Sequence, residues 1–277
     1  MAFPYEVGLN YGMEKKVTTG KFTTLGTVGR TPDGRIFKYA RNGATALAQG
    51  VVVQMKAAAD GQQLLNLTPA TSIGDWNATA GAPGIQVGSA TIGVFWTSAH
   101  SSAEFTDGYM MVETSPGMGT YRVAADGTAT TTGGASTIRL HPDDAITQEV
   151  LTTVTKLAFI ANPYSSVVVT PTTMTGIVLG VSPVEVLADN YFWLQTTGVA
   201  RVRYNDLVAG VVGHQVIAGV GATAGDAVGG PNTTLVTTGA LTTLSQISYG
   251  SRPVLGYMIE GIPGDGDFAK VMLTLQA

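Results

Sequence analysis

The sequence contains no cysteine, and this absence excludes two common ways of stabilising a fold. Disulfide bonds and zinc sites with thiolate ligands are both impossible without it. The length of 277 residues suits one elaborate β-domain or two smaller domains. Stability must therefore come from the burial of side chains within these domains and from contacts with other subunits.

Charge is also scarce. Charged residues make up 12% of the chain, about half the usual share. The formal net charge is −4, and the basic residues form no cluster larger than Lys15–Lys16. A nucleic-acid-binding surface needs a concentration of positive charge, so we expect no nucleic-acid partner.

Long apolar runs are missing as well, although 44% of the residues are hydrophobic and the mean hydropathy is +0.22. The longest runs, such as GVVVQM and SVVVT, have the length of a strand, whereas a membrane-spanning helix needs about 18 apolar residues or more. The first residues, MAFPYEVGLNYGMEKKV, have no continuous apolar region behind a basic start and do not match a signal peptide. We expect no membrane partner and synthesis in the cytoplasm.

What the sequence does contain is glycine, 36 residues in all, placed between short alternating segments. The segment KFTTLGTV is followed by Pro32-Asp33-Gly34 and then by RIFKYA, which predicts a β-hairpin. Similar turn signals recur to the end of the chain, so the pattern predicts a mainly-β fold with at most one or two short helices. The segment HPDDAITQEVLTTVTKLAFI fits either a helix that begins near Pro142 or a loop followed by a strand.

A weak repetition accompanies this β pattern. The segments DGRIFKYARNGATALAQG, DGYMMVETSPGMG and DNYFWLQTTGVARV begin at Asp33, Asp107 and Asp189. Their unequal spacing does not fit a solenoid. Two interpretations stay open, a hairpin used several times or turn chemistry that any glycine-rich β-protein repeats.

Residues that could perform chemistry are few and scattered. No two of His100, His141 and His214 have the spacing of metal ligands on a helix. His100 could pair with Ser101 and Asp107, but no G-x-S-x-G elbow accompanies them. His141 stands beside Asp143 and Asp144, which the start of a helix explains equally well. We therefore predict no catalytic residues and no metal site.

Two glycine-rich segments look like binding loops at first sight. GVGATAG, from Gly219 to Gly225, has the glycines of a nucleotide loop without the helix that must follow it, so a long β-turn is favoured. GDGD, from Gly264 to Asp267, lacks the remaining ligands of a calcium loop and predicts a tight turn. We expect no cofactor.

The aromatic cluster Tyr191, Phe192 and Trp193 is the most prominent apolar feature. Alternation along a strand sends Phe192 to one face and its two neighbours to the other. Both faces of this strand therefore require cover, which predicts a place in the core or at a subunit interface.

Several of these segments together resemble the decoration, or cement, proteins of tailed-bacteriophage heads. The resemblance rests on LGTVGRTPDGRIFKYARNGATALAQGVVVQ (25–54), NYFWLQTTGVARV, AGDAVGG and RPVLGYMIEG, and it covers about half of the chain. The simplest decoration proteins are much shorter. The resemblance therefore implies a compact sandwich or barrel body (β-tulip-like) formed by 22–60 and 176–277, with 61–175 as an inserted or second β-domain.

The resemblance also implies a function. The chain would be a structural virion protein, without catalysis, that binds the outer surface of the capsid and cements neighbouring capsid subunits. Its partners would be the major capsid protein and itself, usually as a trimer, after synthesis in the bacterial cytoplasm. A tail- or fibre-associated module or an adhesin is the alternative, because such proteins share the threonine- and glycine-rich composition.

The N-terminal residues 1–21 are the candidate for a capsid-binding arm. A cement protein can add an arm to a neighbouring sheet through main-chain hydrogen bonds. Apolar side chains stand here at alternate positions, as in a strand that buries one face against a partner. These residues are Phe3, Tyr5, Val7, Leu9 and Tyr11.

Overall fold

The computed structural model describes residues 6–56, 87–96, 103–113, 118–127, 134–148, 157–205, 211–219, 224–229, 252–260 and 268–275. Regular structure in these ranges is almost entirely β, with a single 3-10 turn at Met13–Lys15, which confirms the mainly-β prediction. The strands are β1 (Glu6–Gly8), β2 (Val28–Arg30), β3 (Ile36–Arg41), β4 (Val52–Gln54), β5 (Thr91–Trp96), β6 (Tyr109–Val112), β7 (Gly119–Asp126), β8 (Gly134–Leu140), β9 (Leu157–Ile160), β10 (Val168–Val169), β11 (Val178–Val181), β12 (Tyr191–Arg203), β13 (Gln215–Ala218), β14 (Ala227–Gly229), β15 (Val254–Glu260) and β16 (Phe268–Thr274).

The chain divides into two units. The first combines residues 1–56 with 166–277, and the second consists of residues 57–165. The expected inserted region, 61–175, lies within ten residues of the second unit at each boundary. The first 21 residues, expected to form a separate arm, belong to the first unit.

The first unit is built on one large curled sheet. Its main strand order is β1-β2-β3-β12-β16-β15-β13-β14, and β11, β4 and β10 extend from β12. The curl brings β14 back to the end of β12, where Tyr204 forms a bridge with Ala227. Small and branched side chains fill the space enclosed by these strands, among them Ala200, Val202, Val216, Ala269, Val271 and Leu273.

The predicted hairpin joins β2 and β3, which pair antiparallel. Gly34 takes a positive φ of 83° at the turn, and its N–H donates to the Thr31 carbonyl at 2.9 Å. The Asp33 carboxylate accepts the Thr31 hydroxyl at 2.5 Å and the Arg35 guanidinium at 2.8 Å. The Thr31 hydrogen bond lowers the pKa of Asp33, so this turn is held by its own side chains.

The aromatic cluster lies on β12, the strand at the centre of the unit. Phe192 is fully buried, and Trp193 retains only 4% of its exposure. Tyr191 is half-buried and stacks on Tyr39 at a centroid distance of 5.9 Å. The residues from Phe192 to Thr196 are all buried, and because successive side chains point to opposite faces, both faces of β12 are covered over this stretch.

From Glu6 onward, the N-terminal segment does not extend away from this body as a free arm. Strand β1 pairs in parallel with β2, and Leu9 is buried with 1% exposure. Leu9 and Trp193 pack so closely on Gly29 that a Cβ atom there would lie within 2.7 Å of each side chain. The predicted arm is corrected here, since Leu9 is a core residue; Val7 is half-buried, Tyr11 is exposed, and Phe3 and Tyr5 lie outside the described residues.

The second unit contains a five-stranded antiparallel sheet in the order β5-β8-β7-β6-β9. Phe105, Met110, Tyr121 and Phe159 lie in its core. The candidate helix that begins near Pro142 is a turn in the structure, and β9 forms its far end. The loop-and-strand alternative therefore describes this segment, except for 149–156, which lie outside the described residues.

The backbone conformations of the three Asp segments show how these segments differ. Asp107 and Asp189 each adopt a positive φ, 61° and 60°, two residues before a strand begins, whereas in the Asp33 turn Gly34 does so. The Asp33 turn joins the paired strands β2 and β3, the Asp189 turn lies between the paired strands β11 and β12, and Asp107 precedes β6, which pairs with β7 and β9. The three turns therefore do not share one backbone geometry, and Asp is tolerated at the positive φ of Asp107 and Asp189 because its short polar side chain suits the left-handed conformation.

Some sequence features fall outside the described residues, namely His100 and GDGD at 264–267. In the part of the chain that the structure describes, no helix is long and apolar enough to cross a membrane.

Candidate docking surfaces

An exposed apolar row crosses three neighbouring strands of the first unit. Val199 on β12 is the register partner of Met272 on β16, and Met272 is the partner of Tyr257 on β15. Their exposures are 49%, 40% and 44%, so the row lies on the outer face of the sheet. Side chains paired in this way across antiparallel strands touch, with Cβ atoms about 5 Å apart. We call Val199, Met272 and Tyr257 the apolar stripe.

The alternation of the strands explains why these residues face outward. Their neighbours in the sequence, Ala200, Val271, Leu273 and Met258, point into the core of the curled sheet. More apolar surface adjoins the stripe. Ile259 is 41% exposed, and Val211 and Val212 lie in a turn that the Gly213 N–H joins to the Met258 carbonyl at 2.8 Å. A contiguous apolar area on a sheet face is typical of an interaction site.

The row of side chains next to the stripe is charged. Arg201 pairs in register with Lys270, and Lys270 forms an ion pair with Glu260. A register shift between Met258 and Glu260 turns the Glu260 side chain outward to meet the lysine. The Arg201 guanidinium lies 3.6 Å from the Phe268 ring centroid and has no carboxylate partner among the described residues. Within the described ranges, the positive charge of Arg201 at this border of the stripe is therefore not compensated by a carboxylate.

A second exposed feature is the segment from Pro183 to Asp189, which we call the Leu187 turn. Leu187 is 61% exposed, although the backbone around it is firmly held. The N–H groups of Leu47 and Val186 each donate to the other residue's carbonyl, at 2.8 and 2.9 Å. The buried Asn42 amide lies within 3.2 Å of three carbonyl oxygens, those of Thr45, Val186 and Leu187. An exposed leucine on so rigid a support is suited to contact a partner.

A third feature is the outer edge of β1. The Leu9 N–H donates to the Arg30 carbonyl at 2.8 Å. In an extended strand, alternate residues direct their N–H and C=O groups to opposite sides, so those of Glu6 and Gly8 face away from β2. Among the described residues no strand pairs with this side of β1. An open groove of about 610 Å³ lies nearby, where β1 meets the end of β2, and is lined in part by Val7, Gly8, Arg30 and Pro32.

Among the residues considered for chemistry, those that the structure describes do not converge. His141 is exposed, and its Nδ1 lies 3.7 Å from the Asp143 carboxylate. The Asp144 carboxylate instead accepts the Arg122 backbone N–H at 2.5 Å. GVGATAG connects β13 to β14, which are antiparallel neighbours, so this segment is a β connection at its described ends. Within the described ranges no three acidic or histidine side chains group in a way that could hold a metal ion.

Sequence reasoning missed both the apolar stripe and the Leu187 turn. A signal for the stripe was present, because GYMIE and KVMLT carry apolar residues on both alternating faces. Such a strand needs cover on its second face, as was argued for YFWLQ. The signal for Leu187 is absent from the sequence, since a leucine in a turn gives no sign of its exposure.

Comparison with known proteins gives no relative. No family model, no curated protein and no solved structure matches this chain.

Proposed function

We propose that this chain is a structural virion protein that binds the outer surface of a tailed-phage capsid and cements neighbouring capsid subunits. The proposal combines the sequence resemblance with one structural observation, the open edge of β1. A cement protein must hold neighbours of fixed position, and main-chain hydrogen bonds at a strand edge provide this grip without requiring particular side chains. The proposed function involves no catalysis and no cofactor.

The β1 edge offers the backbone component of strand addition. The N–H and C=O groups of Glu6 and Gly8 face away from β2 and can bond to an added strand. The edge carries little charge of its own, because Arg30 and Glu6 lie 3.3 Å apart as an exposed ion pair. Exposed ion pairs of this kind stabilise a fold little. An incoming capsid strand can therefore break the Arg30–Glu6 pair at a small cost in free energy.

Two replacements of Gly8 separate the loss of its backbone N–H from the effect of adding side-chain atoms. Gly8→Pro removes the outward N–H, and proline is tolerated in an edge strand where the N–H faces solvent. Gly8→Ala keeps the N–H, and a Cβ atom there meets nothing within 4 Å. We expect Gly8→Pro to reduce binding to undecorated heads about tenfold or more, by loss of one hydrogen bond and obstruction of the edge, with binding of Gly8→Ala unchanged. If both variants bound undecorated heads equally and were equally stable, the outer edge of β1 would not be a capsid-binding surface.

The copy number tests the proposed function as a whole. We expect quantitative mass spectrometry of purified particles to find this chain near parity with the major capsid protein. A few copies per particle would instead favour the tail- or fibre-associated module, and absence from particles would refute a virion role.

A further inference from the structure

We infer that copies of this chain associate head to tail, with the Leu187 turn of one copy seated on the apolar stripe of the next. The inference rests on the proposed function, for which the resemblance implies a trimer, and it assigns the contact residues. In this arrangement Leu187 packs against Val199 and Met272, and Glu185 meets Arg201. The stripe is then covered by a second copy of the same chain.

Charge complementarity indicates that a second copy of the chain covers the apolar stripe. Arg201 borders the stripe and has no carboxylate partner among the described residues. Glu185 is exposed beside Leu187 and likewise has no cationic partner in the described part of the chain. Among the described residues, one surface thus combines apolar side chains with a positive charge that no carboxylate pairs, and the other combines them with a negative charge that no cation pairs. Pairing the two surfaces covers both apolar areas and compensates both charges.

The spacing of the charged and apolar groups also matches. Val186 forms a bridge with Leu47 and is buried, so its neighbours Glu185 and Leu187 project together on the opposite side. Val199 and Arg201 are likewise two residues apart on the outward face of β12. Residues two apart in an extended chain are separated by about 7 Å. The acidic-apolar pair and the basic-apolar pair therefore have the same separation.

The contact surfaces are preorganised, which lowers the entropic cost of binding. The stripe lies on regular strands in fixed register. The Leu187 turn is held by the Leu47–Val186 hydrogen bonds, by Asn42, and by the Gln49 amide, which donates to the Pro183 carbonyl at 3.0 Å. Because the two surfaces differ, the contact is heterologous, and repetition of it closes a ring or extends a chain.

Two substitutions in different copies test the head-to-tail arrangement. Leu187→Asp disrupts the contact surface of the Leu187 turn and keeps the apolar stripe intact. Met272→Asp disrupts the apolar stripe and keeps the Leu187 turn intact. We expect each variant to weaken self-association by about 30-fold or more, as loss of a central apolar contact does, and to sediment as a monomer. An equimolar mixture retains one intact contact between unlike copies, so we expect it to form one-to-one dimers without larger species.

Met118→Asp is the matched control, because Met118 is 64% exposed, close to the 61% of Leu187, and belongs to the second unit, whereas both contact surfaces belong to the first. Its self-association should equal that of the wild type, with unchanged circular dichroism for all three variants.

A charge exchange adds a second readout: Glu185→Arg and Arg201→Glu should each weaken association, and the two together in one chain should restore it. A monomeric wild type, a mixture that stays monomeric, or an equal loss in Met118→Asp would overturn the inference. Sedimentation uses the free protein, so its outcome is independent of the copy number in particles that tests the proposed function.

Discussion

Gly256→Ala is expected to destabilise the protein by about 3 kcal/mol or more, as insertion of an atom into a closely packed site does. A Cβ atom on Gly256 would lie 1.9 Å from the Met272 carbonyl oxygen and 2.9 Å from the Leu273 Cα. Both atoms belong to the backbone of β16, so no side-chain rotation can relieve the overlap. Strands β15 and β16 would have to separate where they carry Tyr257 and Met272.

Gly20→Ala is the control for this prediction. A Cβ atom there meets nothing within 4 Å, and Gly20 has no positive φ. Reducing the flexibility of the unfolded chain at such a site leaves stability unchanged or raises it by up to about 1 kcal/mol. Urea denaturation of both variants measures the difference in unfolding free energy. Equal midpoints for Gly256→Ala and the wild type would show that β15 and β16 are not packed as described.

Asn42→Asp is expected to cost about 4 kcal/mol at neutral pH, the cost of leaving a buried charge without a partner. The Asn42 amide faces three carbonyl oxygens and donates to them from a fully buried position. A carboxylate has no hydrogen to donate and repels these oxygens. The Leu187 turn would lose the group that holds it, so self-association should weaken together with stability.

The pH dependence of this variant gives a second readout. Burial and the facing carbonyl oxygens disfavour the ionised form of the new carboxyl, which raises its folded-state pKa above the unfolded value of about 3.9. Below the unfolded pKa the acid is protonated in both states and can donate one hydrogen bond, so much of the loss is recovered. As the pH rises above the unfolded-state pKa, the carboxyl ionises first in the unfolded state. The loss of unfolding free energy therefore grows with pH until the folded-state pKa is passed.

Asn10→Asp provides the same chemical change at an exposed position. Its effect on the unfolding free energy should stay within about 0.5 kcal/mol, as for most surface substitutions. If Asn42→Asp resembled this control at pH 7, the Asn42 amide would not be the group that secures the Leu187 turn.

Local signals in the sequence determined the fold class and several turns. Proline, aspartate and glycine at 32–34 fix the hairpin because their backbone preferences act over a few residues and need no distant partner. The apolar character of both faces of YFWLQ identified a covered strand, because alternation is a local property. The absence of cysteine and the low charge likewise bounded the chemistry without a structure.

Only the tertiary structure decided which surfaces remain open. Leu9 and Leu187 look alike in the sequence, yet Leu9 packs on Gly29 beside Trp193 and Leu187 stands exposed. The register that joins Val199 to Met272, and through it to Tyr257, connects residues 73 positions apart (272 − 199). Pairing of this kind depends on how distant strands meet around the core, and a local pattern carries no information on it. The sequence therefore determined that the chain forms strands, and the packing of those strands decided which of their faces can bind a partner.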